Sequence, residues 1–262
     1  MPKYFFVNKL IGQTPLEALE HLRHEKGIDS SVPMTYAGRL DPMAEGLLLI
    51  LIGDECKMKD QYLGLDKEYE VEILLGIGSD TADVLGKIIQ GGQILDVRFE
   101  NQRKTQKISE EIIQKQLNNL VGKRTEKYPA YSSKPVNGKP LFEHAKSGSL
   151  DDIEMPKKEI EVYSIDFLGQ QEISKKELMK IIIERIQKVK GNFRQEEIVD
   201  SWKQVIKAGG TTQEYFQVIK LKVHSSSGAY MRTLAEKLGE SLGIHALALS
   251  IKRTKIGDFI LQ

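Results

Sequence analysis

The chain has 262 residues, 40% hydrophobic and 29% charged, enough for a real hydrophobic core and ordinary for a soluble globular protein. Its only cysteine, Cys56, excludes an internal disulfide and fits a reducing cytoplasm. No apolar run is long enough to span a bilayer, and MPKYFFVNKL turns polar too soon for a signal peptide. A net charge of +1 neither demands nor excludes a nucleic-acid partner, because groove binders depend on where charge lies.

Tyr4 to Val7 reads as a short strand. Thr14-Pro15-Leu16-Glu17 combines an N-cap, a proline at the first helical position and glutamate at N3, so a helix is expected from Thr14. Leu16, Leu19 and Leu22 recur along it at helical spacing. Leu47 to Ile52 is a buried strand ended by Gly53-Asp54. In KEYEVEILLG, Tyr69, Val71, Ile73 and Leu75 alternate with polar neighbours, the pattern of a strand with one core face. Ser109 should begin a helix with Ile112, Ile113 and Leu117 pointing inward.

Residues 127–156 contain Pro129, Pro135, Pro140 and Pro156 around a tight-turn signal, Asn137-Gly138, and are expected to form a projecting hairpin-like arm. Its surroundings are basic, with Lys134 and Lys139 among the positive residues, although a solvated loop also accounts for that charge. A strand resumes near Glu161. From Ser174 to about Gly209 the pattern is helical, with a Ser174/Glu177 capping box and a stripe of Leu178, Ile182, Ile186 and Val189, then Ile198, Trp202 and Ile206. QVIKLKV alternates again, and a helix from about Ala229 carries Met231, Leu234, Ala235 and Leu238 on one face. Strands and helices intermix without regular alternation, which favours α+β.

Three side chains are candidates for chemistry. Asp41, in GRLDP before an apolar run, is either a turn carboxylate or a carboxylate held at a strand entrance as nucleophile or proton acceptor. The second role requires a cation or several donors nearby, since desolvation disfavours the charged form. Arg232 in SSSGAYMRTLAEKLG is such a cation, or else a surface partner of Glu236 at i,i+4. Tyr69 is a core tyrosine or one that offers its ring for stacking and its hydroxyl for proton transfer. The histidines show no metal-ligand spacing, and no glycine loop has phosphate-binding spacing.

Together these pieces resemble the TruB family of tRNA pseudouridine synthases. GRLDPMAEGLLLILIG is similar to the family's G-x-L-D-P-x-A-x-G-L/V-L block, and KEYEVEILLGIGSDTADVLGKI to its lysine-x-tyrosine strand and T-D-T-x-D-x-x-G turn. YPAYSSKPVNGKPLFEHAKSG resembles its P-x-Y-S-A-x-K-x-x-G-x-x-L-Y-E-x-A-R thumb segment. SSSGAYMRTLAEKLG resembles C-S-x-G-T-Y-I-R-T-L-A-x-D-L-G, and ALALSIKRTKIGDF resembles A-H-L-x-x-L-R-R-T-x-V-G-x-F.

The resemblance implies a pseudouridine synthase fold: a mixed, largely antiparallel sheet flanked by helices, with a thumb arm over an active cleft. It implies Asp41 as the essential aspartate, Tyr69 as the tyrosine stacked on the target base, and Arg232 as the aspartate's partner. Tyr230 falls at a pocket tyrosine and Ile251 at an apolar pocket residue. The implied reaction isomerises a flipped-out uridine, position 55 in the T loop of tRNA, without cofactor or metal.

The sequence departs from the family in several places. Tyr36 stands where a histidine is usual. Arg39, in Gly-Arg-Leu-Asp, echoes the RsuA and RluA families, which raises a different RNA as substrate and a place for Arg39 in the RNA stack. The chain stops soon after Phe259, where a PUA-type domain is common, and residues 171–213 look like a helical insertion. The expectation is therefore a single catalytic domain over 1–262, monomeric and cytoplasmic, gripping the T arm of tRNA chiefly with the 123–146 arm, Lys134 and Lys139 included, and further with Lys252, Arg253 and Lys255. A tRNA-binding folding chaperone without turnover is the alternative outside enzymes.

Overall fold

The computed structural model describes residues 2–89, 107–207 and 214–261. Strand β1 (Tyr4–Lys9) and helix α1 (Pro15–Glu25) lead to β2 (Met34–Ala37) and β3 (Ala44–Ile52). A short α2 (Lys59–Leu63) precedes β4 (Lys67–Leu75), and α3 (Glu110–Asn118) precedes β5 (Gly122–Lys127). The hairpin of β6 (Pro135–Val136) and β7 (Lys139–Pro140) runs into α4 (Leu141–Ser147). A long β8 (Lys157–Ser174) feeds the helical pair α5 (Lys175–Gln187) and α6 (Gln195–Lys207). Then follow β9 (Tyr215–Ser225), α7 (Met231–Ser241), β10 (Ala246–Ile256) and β11 (Phe259–Ile260).

The main sheet has nine strands in the order β1-β3-β10-β4-β9-β8-β5, with β2 added to β3 and β11 to β10. Every named pairing is antiparallel except β10 with β3. The fold is α+β, a mixed and mostly antiparallel sheet flanked by helices. On one face Val71, Ile73, Leu221 and Val223 share a core with Ile113 of α3 and Leu234 and Leu238 of α7. On the other, Leu74, Phe216, Val218 and Leu247 join Ile182, Ile186, Ile198 and Trp202 of α5 and α6.

Strand β3 explains the unbroken apolar run. Leu48 and Ile50 cluster with Ala18, Leu19 and Leu22 of α1, while Leu47, Leu49 and Leu51 form a second cluster with Ile256. A strand buried on both faces has no solvent side, so its sequence does not alternate. Gly46 permits the one parallel pairing. Its φ is +106°, and a Cβ there would lie 2.2 Å from the Arg253 carbonyl oxygen, so no other residue fits this approach.

Local signals held where they were strong. Thr14 and Glu17 form a reciprocal capping box on α1, and Ser109 and Ser174 cap α3 and α5, so that of the expected Ser174/Glu177 box only the Ser174 half is formed. Three details differ. Leu16 is 57% exposed and borders a cavity beside Asp41. Ile112 is exposed, because it lies about 100° round the helix from the buried Ile113. Val189 is buried but lies past the end of α5. In the arm, Asn137 and Gly138 take the two left-handed conformations of a tight hairpin turn, but α4 follows directly, a helix not expected from the sequence. Of the segment 171–213, residues 171–174 belong to β8, α5 and α6 fill much of the rest, and 208–213 lie outside the described residues.

Candidate active site

Asp41 lies in the loop between β2 and β3, anchored by bonds from Ala44 N to its carbonyl at 3.0 Å and from Gly12 N to the Pro42 carbonyl at 2.8 Å. Arg232, in the first turn of α7, donates from Nε to Asp41 Oδ2 at 2.7 Å across 191 residues of sequence. Its Nη1 donates to the Thr81 carbonyl at 2.8 Å and its Nη2 to the Tyr131 carbonyl at 3.1 Å. With each nitrogen engaged, the guanidinium has one orientation. The Arg232 side chain is 3% exposed and that of Asp41 35%, so the cation is sealed and the acid is reachable. A charge-assisted bond in such a place is roughly twice as strong as a neutral one.

A second carboxylate completes the group. Asp83 Oδ2 is 3.9 Å from Arg232 Nε, and its other oxygen accepts from Thr81 Oγ1 at 2.7 Å and Leu85 N at 2.9 Å. Burial pushes the Asp83 carboxyl up to about 6, against the pull of Arg232. Burial acts to lower Arg232, but Asp41 and Asp83 outweigh it and raise it above its ordinary value. The sequence reading did not single out Asp83, although it is the second aspartate of the SDTADVLG turn.

Beside Asp41 opens a cleft of about 460 Å³, within the usual range for small-molecule and nucleotide sites. Tyr69 and Ile251 form part of its buried wall, placed there by sheet register: Ile251 pairs with Val71 and Ala44, and Arg253 with Tyr69. Arg253 is 1% exposed and faces Tyr69, a contact that works against the lowering effect of burial on its guanidinium. It donates to the Leu47 carbonyl at 2.7 Å, the Arg39 carbonyl at 3.2 Å and the Gly38 carbonyl at 3.5 Å. Expected with Lys252 and Lys255 as an RNA contact, Arg253 is instead sealed from solvent with its donors on carbonyls, and it ties the Asp41 loop to the sheet.

Tyr230 is the N-cap residue of α7 and lies in the cleft wall. Burial pushes its hydroxyl up to about 12, with Asp41 adding to the effect, so the group is neutral over any working pH. Its ring meets that of Tyr128 edge-on at 6.1 Å. The Lys158 ammonium sits 5.4 Å from the Tyr128 ring centre and 5.7 Å from that of Tyr230, and Lys134 is 5.4 Å from Tyr128. Two tyrosine rings bridged by Lys158, with Lys134 beside Tyr128, make the kind of surface on which a base can stack and a phosphate can be met.

Tyr36 and Arg39 lie at the rim. The Arg39 guanidinium is 5.7 Å from the Tyr36 ring centre, and its Nη1 donates to Ser133 Oγ of the arm at 2.7 Å. Lys9, buried below the loop, donates to the Leu10 carbonyl at 3.0 Å and that of Gln13 at 2.7 Å, and burial lowers it to about 8. The fold therefore gathers Asp41, Tyr69, Tyr36, Arg39, Tyr230, Ile251 and Lys134 around one cleft, with Arg232 sealed behind Asp41. Lys139 is left outside it, exposed on β7. Among the described residues no group of three or more His, Cys, Asp or Glu side chains is arranged to hold a metal ion.

Residues 30–184, more than half of the chain, match the family described as TruB family pseudouridylate synthase (N terminal domain). The chain belongs to the TruB family. The tRNA pseudouridine synthase B of Ralstonia pickettii is 26% identical over 227 residues, which cover 87% of this chain and 54% of that protein. The protein of the same name from Listeria monocytogenes is 28% identical over 224 residues, covering 86% and 57%. That from Caldicellulosiruptor saccharolyticus is 27% identical over 256 residues, covering 98% and 68%. The chain thus spans little more than half the length of the first two TruB relatives. The crystal structure of a Cbf5-Nop10-Gar1 complex is similar in fold, with a TM-score of 0.57 at 15% identity over 98% of this chain and 49% of that one. An H/ACA RNP bound to a substrate RNA containing 2'-deoxyuridine gives a TM-score of 0.52 at 14% identity, over 98% and 48%.

Proposed function

We propose that this TruB-family chain isomerises uridine to pseudouridine in RNA, with uridine 55 in the T loop of tRNA as its target. The observation that carries the reading is the pairing of a reachable Asp41 with a sealed Arg232 at the edge of a nucleotide-sized cleft. The tRNA pseudouridine synthase B relatives support tRNA as the substrate.

In this reading the target base leaves the RNA stack and lies against Tyr69, with Ile251 beneath. Unstacking costs a few kcal/mol, which stacking and phosphate contacts offset. Asp41, held by Arg232, acts at the ribose as nucleophile or proton acceptor. The N1–C1′ bond breaks, the base turns, and C5 bonds to C1′. The C5 hydrogen leaves as a proton and N1 gains one, so the product is an isomer of the substrate. Arg232 keeps the carboxylate in one position through these steps. Tyr230, neutral, closes the cleft wall.

The arm carrying Lys134 and Lys139 acts as a thumb on the T-arm backbone, and the chain works as a cytoplasmic monomer. Among the described residues no helix is long and apolar enough to cross a membrane. Tyr36 with Arg39 at the rim favours a second reading, the same isomerisation on another RNA.

The test is release of tritium from C5-labelled uridine in an unmodified tRNA transcript, with mapping of the product. Wild type should turn over at a single uridine, and Asp41→Asn should bind the transcript while releasing no label. Release from a different RNA alone would move the substrate to the second reading. RNA remodelling with no release by wild type would make the chain a chaperone and end the enzyme reading.

A further inference from the structure

We propose that the connection between α5 and α6 sets the arginine that holds Asp41, with Arg194 as the positioning residue. Only the kinetic part of the inference rests on the isomerase reading. Arg194 lies beyond the residues that match the family, and no part of it touches Asp41.

Its contacts converge on the segments that receive Arg232. Nη1 donates to Asp80 Oδ2 at 2.8 Å, Nη2 lies 3.4 Å from Oδ1, and the guanidinium carbon is 4.8 Å from the Tyr131 ring centre. Tyr131 itself donates from its hydroxyl to Asp80 Oδ2 at 3.0 Å. Arg194 therefore fastens Asp80 to Tyr131. Their backbones supply the two acceptors of the Arg232 fork: Thr81, next to Asp80, takes Nη1, and Tyr131 takes Nη2. These carbonyls come from separate segments 50 residues apart, and Arg194 joins the two segments through side chains.

The rest of the helical pair supports the same turn. Ser201 Oγ of α6 accepts from Ile88 N at 3.2 Å, Lys87 pairs with Glu197, and Lys87 N donates to Asp80 Oδ1 at 2.9 Å. Met43, two residues past Asp41, shares a core with Ile186 and Trp202. Gly12, whose N–H holds the Pro42 carbonyl, approaches the end of α5 so closely that a Cβ would lie 2.4 Å from the Lys188 carbonyl oxygen. Arg194 also has a φ of +62°, a conformation that a non-glycine residue keeps when its surroundings over-determine it. Its side chain is 19% exposed with both prongs on Asp80, a geometry for fixing protein groups rather than for meeting phosphate.

The test follows the Arg232 Nε–H directly, by nitrogen-15 NMR of arginine-labelled full-length chain, the signal being assigned by its loss in Arg232→Lys. In Arg194→Ala this proton should exchange with solvent about tenfold faster, and kcat should fall about tenfold with KM and RNA affinity within about twofold. Arg194→Lys should recover part of both, and also serves if the alanine variant fails to fold. Arg194→Ala combined with Asp80→Asn should be no worse than the poorer single variant. An unchanged Arg232 signal in Arg194→Ala overturns the proposal, as does a rise in KM with kcat held, which marks an RNA contact instead. If wild type shows no turnover, the isomerase reading fails while the NMR measurement still decides the positioning role.

Discussion

Removing the charge of Asp83 should change how stability depends on pH. The carboxyl is 5% exposed, and burial raises it from 3.8 to about 6 although Arg232 opposes the shift. Between those values the folded chain holds a proton that the unfolded chain has released. Folding is then favoured by protonation, so this residue's contribution is most favourable below about pH 4 and declines as pH rises through 6. At about 1.4 kcal/mol for each pH unit of displacement, the full change is about 3 kcal/mol. Urea titrations followed by the fluorescence of Trp202, the only tryptophan and fully buried, give the unfolding free energy. Wild type minus Asp83→Asn should rise by about 3 kcal/mol from pH 7.5 down to about pH 4. Parallel profiles for the two proteins would refute the reasoning, because every other titrating group is common to both.

Gly46→Ala should cost more than about 3 kcal/mol or prevent folding, since it combines a left-handed φ with backbone contact at 2.2 Å; thermal unfolding measures it. Lys134→Ala should weaken RNA binding about equally for all sequences and reduce the slope of log affinity against log salt by about one. Arg39→Ala should lower RNA affinity and turnover with little change in melting temperature, because the side chain is exposed and, among the described residues, meets the rim only through Ser133 Oγ and the Tyr36 ring. Unchanged affinity and turnover would remove Arg39 from the RNA stack.

The sequence was legible where the deciding forces are local. The cap of α1 lies within four residues, and the alternation of β4 within nine, so each could be read without the rest of the chain. Strand β10 was hidden for the opposite reason. ALALSIKRTKI carries Arg253 at a position that a strand should fill with an apolar residue, and its guanidinium is accommodated by carbonyls of Gly38, Arg39 and Leu47, brought there by the fold. Helix α4 follows Pro140 inside a proline-rich arm, where the turn signal dominated. Asp41 and Arg232 were candidates from the residues alone, but only the resemblance decided for their pairing, because no spacing rule links residues 191 apart. Lys158 and Arg194 gave no signal at all: their roles come from rings and a carboxylate contributed by other elements.

The same long-range contacts explain why an acid sits at the entrance of a strand with no solvent face. Leu47 to Leu51 are locked from both sides, so the chain just before them has a fixed anchor, but a fixed anchor alone would leave the Gly38–Pro42 turn free to swing. Two buried arginines remove that freedom from different directions, Arg253 through the backbone of Gly38 and Arg39, and Arg232 through the Asp41 carboxylate itself. Burying two guanidinium groups is costly unless their donors are met, and here carbonyls and carboxylates meet them. The consequence is an asymmetry that suits the proposed reaction: the groups that fix the carboxylate are desolvated, while the carboxylate itself keeps exposed surface. On the proposed reaction, loosening either arginine should therefore lower turnover before it lowers affinity, since in that reading binding rests on the rings and lysines of the cleft and the chemistry on where one carboxylate oxygen stands.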